Sequence, residues 1–552
     1  AGLVEGTNTL TASSGPDSTT QRVRSWPVAG PMISGPHLPL PACSTDEHGL
    51  GAPTDANCSA PTVVSWHYVA EDDTVKELTD PTKPPSDLAT ATIDGTDDVP
   101  LYIRYEQGVI NRSIYEIASI DPTPGGDAPD STEPSDAAWN GRLLYRYGGG
   151  CGATFGQGSA QASTLDPTYL AQGYAVATAS FNTFAVQCND VLSAETTMMV
   201  KERFIEAFGQ PDHTIGEGGS GGAIQVHLIT QNYPGLLDGV VASSPFPDAI
   251  TISGGVTDCG LLNRYYDSAE GAHLTPEQRT AVNGHATDQT CRLWEAGFLG
   301  VMNPSTGCDP KISADQIYDA TTNPTGIRCT LQDANANQLG RDDETGFARR
   351  PLDNVGIQYG LEALNAGTIS VDEFLDLNDA VGGWDIDGGH QPDREVASVE
   401  SVLHAYETGR ISTGAGDQTK VPIIDVNTYL DEAGDIHDRF RAFSLRERLT
   451  MGGPDHTAPG FQIWTRDADQ PDASSDAVRV HRRGHRGRRP AHRARAQPSR
   501  GGGRQLPADG SEAAHRRRRH LRGGGPLPRR LPAARRPPNR GRCTPRERHH
   551  QV

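Results

Sequence analysis

Five residues, Gly218-Gly219-Ser220-Gly221-Gly222, constrain this chain more than any other feature. They follow a short segment, His213-Thr214-Ile215-Gly216, that reads as a strand. They precede a helical pattern that runs from about Gly222 through Ile224, Leu228 and Tyr233. A serine in G-x-S-x-G between a strand and a helix is a nucleophile elbow. Glycines flank it because the turn needs backbone angles and close approaches that a Cβ forbids. The turn lifts the serine hydroxyl out at the carboxyl end of a sheet, and the helix behind it aims free N–H groups at the reacting oxygen. In a chain with 62 glycines the plainer reading is a Gly/Ser loop without chemistry. The strand before and the helix after favour the elbow.

The surrounding pattern supplies a sheet for that turn. Residues 100–105 and 113–118 read as strands, and a Pro/Asp/Ser-rich linker covers about 121–138. Arg142–Tyr147 reads as a strand ending in Gly148-Gly149-Gly150-Cys151-Gly152. The next strand is 174–179, and Met198, Met199, Phe204, Ile205 and Phe208 fall at helical spacing from about Glu195. A further strand covers 238–242. Strands alternating with helices predict an α/β fold, an α/β-hydrolase with a mostly parallel sheet. Between about 250 and 418 the character turns helical. Thr275, Ser313 and Ser370 each open a capping-box pattern, which predicts an inserted helical lid. Residues 421–426 and 460–465 then restore the sheet. The expected organisation is a β/loop-rich N-terminal module over 1–95, a first core segment over 96–250, the lid over 251–418, a second core segment over 419–478, and a basic tail over 479–552.

The formal charge of −21 conceals two opposite parts. The tail carries 23 of the 49 basic residues, all arginine, and three of the 70 acidic ones, so the body before it is strongly acidic. The tail has no Lys, Phe, Tyr, Trp, Ile or Met. A disordered basic arm for nucleic acid is one reading. The composition fits a reading-frame shift in a GC-rich gene better. The ending PRERHHQV can be encoded so that a one-base shift gives LANDIIK, and RPPNRGRCTP shifts in the same direction to DPRIVAGAPL. No nucleic-acid partner is therefore expected. No apolar run reaches the 18 residues of a membrane helix. Eight cysteines precede the tail without C-x-x-C spacing, which reads as disulfides rather than zinc. Proximity pairs Cys43 with Cys58, Cys151 with Cys188 and Cys308 with Cys329, leaving Cys259 with Cys291. Disulfides imply an oxidising compartment, so the chain is expected to be secreted, with any signal peptide already removed. Asn57 and Asn111 head glycosylation sequons.

A serine hydroxyl is a poor nucleophile until a histidine takes its proton, and the imidazolium formed needs a carboxylate beside it. The order Ser…Asp…His directs the search downstream. Asp431, a few residues past the strand at 421–426, is the candidate acid; Asp425 within that strand and Asp435 beyond it are neighbours of the same type. No histidine stands between Trp464-Thr465 and the tail, so His437 is the candidate base, with His456 second. His481 and His485 lie past the expected frame shift. The oxyanion donors are expected from Gly221, directly after the nucleophile, and from Gly149 and Gly150 in the glycine run.

The residues Trp139-Asn140-Gly141-Arg142-Leu143, the run Gly148-Gly149-Gly150 and the stretch from Ala207 through the elbow to Ala242 together resemble the tannase and feruloyl-esterase family. That resemblance implies secretion, a large lid and hydrolysis of carboxylic esters, either aromatic (feruloyl or galloyl) or polymeric. It also implies a cysteine just before the serine and another beside the histidine; here Gly219 precedes the serine and no such pair follows. Family members often hold calcium in the lid, but Trp384-Asp385-Ile386-Asp387-Gly388-Gly389 lacks a full set of oxygen ligands, so no metal or cofactor is expected. An amidase or peptidase on the same fold, and an inactive hydrolase fold used for binding, are the competing functions.

Overall fold

The computed structural model describes residues 3–124, 138–416, 418–453, 460–467 and 473–478. The expected tail and His456 lie outside these residues. The core is a ten-stranded sheet. In chain order its strands are β1 (Val63–Val69), β2 (Val75–Glu77), β3 (Tyr102–Ile110), β4 (Ser113–Ile120), β5 (Arg142–Tyr147), β6 (Ala175–Ala179), β7 (His213–Gly219), β8 (Gly239–Ser243), β9 (Ile423–Thr428) and β10 (Phe461–Arg466). They stand in the order β10-β9-β8-β7-β5-β6-β4-β3-β1-β2. The run from β10 to β6 is parallel, and β4, β3, β1 and β2 continue it antiparallel. The fold is α/β, with a mixed rather than uniformly parallel sheet. The expected module boundary near residue 95 falls inside this sheet, because β1 pairs with β3 through Val63–Tyr68.

The central strands carry apolar residues on both faces because both faces are covered. Leu143, Tyr145, Ala175, Ala177, Val240 and Ala242 enter one core, while Leu144, Val176 and Val241 enter the other. Successive side chains alternate between faces, so each strand supplies both. Helix α1 (Asp190–Phe208) covers the first face. It begins five residues before the apolar periodicity suggests, because the Asn189 side chain accepts the Leu192 N–H and caps it. Helix α2 (Gly221–Asn232) is buried almost all round. Ala223, Val226 and Ile229 meet the sheet, while Ile224 and Leu228 meet the inserted segment.

That insertion holds α3 (Ala249–Tyr266), α4 (Pro276–Asn283), α5 (Gln289–Phe298), α6 (Val371–Ala380) and α7 (Val399–Glu407); α8 (Phe440–Gly452) then joins β9 to β10. Thr275 and Ser370 form the expected capping boxes on α4 and α6. Ser313 does not start a helix. Its hydroxyl bonds Gln316, and the chain turns at once into the bridge between Ile317 and Ile327, inside the loop closed by Cys308–Cys329. The other disulfides are Cys43–Cys58, Cys151–Cys188 and Cys259–Cys291. The Asn111 sequon is fully buried, its amide bonded to Thr196. Among the described residues no helix is long and apolar enough to cross a membrane.

Candidate active site

Ser220 stands between the end of β7 and the start of α2 with φ 55° and ψ −119°. Few non-glycine residues adopt this backbone; here the sheet and helix hold it. The neighbouring glycines are required by contact rather than by angle. A Cβ on Gly221 would lie 1.9 Å from the Gly150 carbonyl oxygen, and one on Gly222 2.4 Å from that of Tyr147. A Cβ on Gly218 would lie 2.5 Å from the Gly222 backbone. The elbow and the glycine run after β5 therefore pack backbone on backbone. A Cβ on Gly149 would stand 3.5 Å from that of Ser220, so Gly149, Gly150 and Gly221 do converge around the serine.

Two further features hold the glycine run. Gln225, one turn into α2, donates from Nε2 to the Gly148 carbonyl at 2.9 Å and accepts the Ser193 hydroxyl at 2.6 Å. The Cys151–Cys188 disulfide ties the end of the run to the residue before the α1 cap. The sequence carried a signal for Gln225 only in its spacing, four residues after Gly221 on the helix.

His437 reaches the same point from the other side. Its Nε2 is 2.9 Å from Ser220 Oγ, and its Nδ1 is 2.6 Å from Asp435 Oδ1. The same Asp435 oxygen accepts the His437 backbone N–H at 2.9 Å. This turn, two residues wide, lets an aspartate hold the histidine that follows it. Asp431, the expected acid, is not in the group. It accepts the backbone N–H and the guanidinium of Arg439, each at 3.0 Å. The reason is local. Asp431 opens a short helical turn that Gly434 ends in a left-handed conformation, and the reversal presents Asp435 instead.

Asp425 is also elsewhere, wholly buried on β9 against His227 on α2. His227 Nδ1–H donates to the Phe246 carbonyl at 3.0 Å, and Nε2 lies 3.0 Å from Asp425 Oδ1. Burial pushes the Asp425 carboxyl above its usual range, the facing histidine opposing this. The Phe246 ring packs on His437, 5.2 Å between centroids.

The carboxylates of Trp384–Gly389, the segment compared with a calcium loop, bond within the protein. Asp385 accepts the N–H groups of Asp387 and Gly389, and Asp387 pairs with Arg328 at 2.7 Å. Among the described residues one cluster has the spacing of metal ligands, Cys259, His285 and Cys291, and both its thiols are consumed by a disulfide.

A mixed sheet whose parallel part carries a serine at a strand–helix elbow, a histidine and an aspartate in line, and a glycine loop alongside, defines an α/β-hydrolase fold. The chain belongs to the tannase-like family of unknown function (DUF6351), which it matches over residues 1–481. A search of curated proteins gives no match. Among solved structures, it is similar to feruloyl esterase B from Aspergillus oryzae, with 17% identity, 78% of this chain and 84% of that chain covered, and a TM-score of 0.35. It is also similar to a tannin acyl hydrolase from Aspergillus niger, with 12% identity, 80% of each chain covered and a TM-score of 0.31.

Proposed function

We propose that this protein is a secreted serine carboxylic-ester hydrolase working through an acyl-enzyme. The observation that carries the reading is the alignment of Ser220 Oγ, His437 Nε2 and Asp435 Oδ1 at hydrogen-bond distances on a strained elbow. His437 takes the Ser220 proton as the oxygen attacks the ester carbonyl, then returns it to the leaving alcohol. Asp435 orients the ring and offsets the charge of the imidazolium. The Gly221 N–H, at the positive end of α2, and an N–H of the Gly149–Gly150 loop receive the oxyanion. Water then repeats the sequence on the acyl-serine. Four disulfides support an oxidising, extracellular setting. The family resemblance makes feruloyl and galloyl esters and polyesters the first substrates to examine.

Titration with a serine-reactive phosphonate tests the reading. One equivalent should bind, mass spectrometry should place it on Ser220, and p-nitrophenyl acetate hydrolysis should vanish with it. Ser220→Ala should lower kcat by many orders of magnitude, and a loss under about tenfold would refute the assignment. An inactive binding protein would take no label.

A further inference from the structure

An apolar cavity lies beside the two loops that carry the catalytic group. Its walls include Ile252, Val256, Phe298, Val301, Met302 and Ile436. Two of its residues fix its position. Cys151 follows Gly150 in the glycine loop, and Ile436 lies between Asp435 and His437. The polar side chains on the wall are Ser253 and Thr257, and both hydroxyl protons are spent. Ser253 Oγ donates to the Ala249 carbonyl at 2.8 Å, and Thr257 Oγ1 to that of Gly254 at 2.9 Å. Two oxygens remain that can accept a hydrogen bond, and no wall residue is charged or carries an amide side chain. A ring with three hydroxyls would find only these two side-chain oxygens and no charged or amide partner, so it would lose more hydration than the wall returns, which is costly. Alkyl groups have no such requirement. Met302 is buried and lines this cavity and a second one, beside Cys188 and Leu228.

We infer that this cavity seats an apolar, unhydroxylated arm of the ester, and that Met302 is the wall that limits its length. The inference rests on the ester-hydrolase reading above and narrows its substrate class.

Two substrate series separate the arms. p-Nitrophenyl acetate, butyrate, hexanoate and octanoate vary the acyl group; methyl, butyl and hexyl acetate vary the alcohol. In one series kcat/KM should rise about fourfold per methylene until the wall is met. Methyl benzoate should be favoured over methyl trihydroxybenzoate by roughly tenfold or more. Met302→Ala should shift the optimum to longer chains, and Ile252→Trp to shorter ones. A flat response in both series, a preference for the trihydroxylated ring, or an optimum that neither variant moves would overturn the inference. Calorimetry on Ser220→Ala supplies a readout that needs no turnover: methyl hexanoate should bind and methyl trihydroxybenzoate should bind more weakly, and the reverse order would also overturn it. Phosphonate labelling with a flat profile removes the cavity assignment alone. Absence of labelling removes the hydrolase reading, and the binding order still decides the cavity.

Discussion

Replacing Asp435 by asparagine isolates one charge. The asparagine oxygen can still accept the His437 Nδ1–H, so ring position is largely kept while the counter-charge disappears. When His437 takes the serine proton, a positive ring stands beside the carboxylate, whose oxygen is 2.6 Å from Nδ1. With charge centres about 4 Å apart, the attraction is ~4 kcal/mol at an effective dielectric of about 20 and ~1 kcal/mol in bulk water. The Asp435 side chain is 40% exposed, so water screens it in part. The expected loss is about 2–3 kcal/mol of transition-state stabilisation, or roughly 30- to 150-fold in kcat. That is well short of the roughly 10⁴-fold cost of removing the buried carboxylate in the chymotrypsin triad. Asp431→Asn breaks only a surface pair with Arg439 and should leave kcat within about twofold. The assay is p-nitrophenyl butyrate hydrolysis, with active sites counted by phosphonate titration. A drop under about threefold for Asp435→Asn, or an Asp431→Asn loss equal to it, would refute the assignment of the acid.

Three other substitutions probe the surroundings. Gly221→Ala places a methyl 1.9 Å from the Gly150 oxygen and must part the glycine loop from the elbow; kcat should fall about 100-fold or more, and by far less for Gly149→Ala, whose tightest contact would be 3.2 Å. Removing the Cys151–Cys188 bond, which spans 37 residues, by a double change to serine should cost up to about 4 kcal/mol in urea unfolding; no change in unfolding midpoint would contradict its role as an anchor. Burial pushes the Asp190 carboxyl up to about 6 against the pull of Arg410. The folded chain then keeps a proton that the unfolded chain has released between roughly pH 4 and 6. Wild-type stability relative to Asp190→Asn should therefore rise as pH falls through about 6 and level off below about 4, measured by urea unfolding at pH 7, 5 and 4.

The elbow was legible because its chemistry is local. Four glycines and a serine between two recognisable elements leave few alternatives, and the glycine run after β5 follows from the same logic. His437 emerged by elimination rather than by pattern. The acid was not legible, since Asp425, Asp431 and Asp435 are chemically equal in sequence and differ only in orientation. A short helical turn and the left-handed Gly434 decide among them. The edge made by β1 and β2 was missed for a similar reason: it joins the sheet only because β1 pairs with β3, far along the chain. The apolar cavity draws its walls from the glycine loop, α3, the end of α5 and the loop after β9. Such a composite has no linear signature.

The same convergence bears on how the site can work. The loop that carries Asp435 and His437 leaves β9, but it rests on the inserted helices. Ile436 is buried in one cluster with Trp294 of α5 and with Val256 and Cys259 of α3. Gly434 lies so close to α5 that a Cβ there would be 3.0 Å from Thr290 Oγ1. The Arg441 guanidinium stands 5.3 Å from the Trp294 ring centroid, and Cys291 bonds α5 to α3. A lid that admitted substrate by swinging away would take its support from beneath His437 and draw the base off Ser220. Buried apolar contacts and a disulfide resist that movement. The insertion is better understood as a fixed buttress for the loop that carries Asp435 and His437.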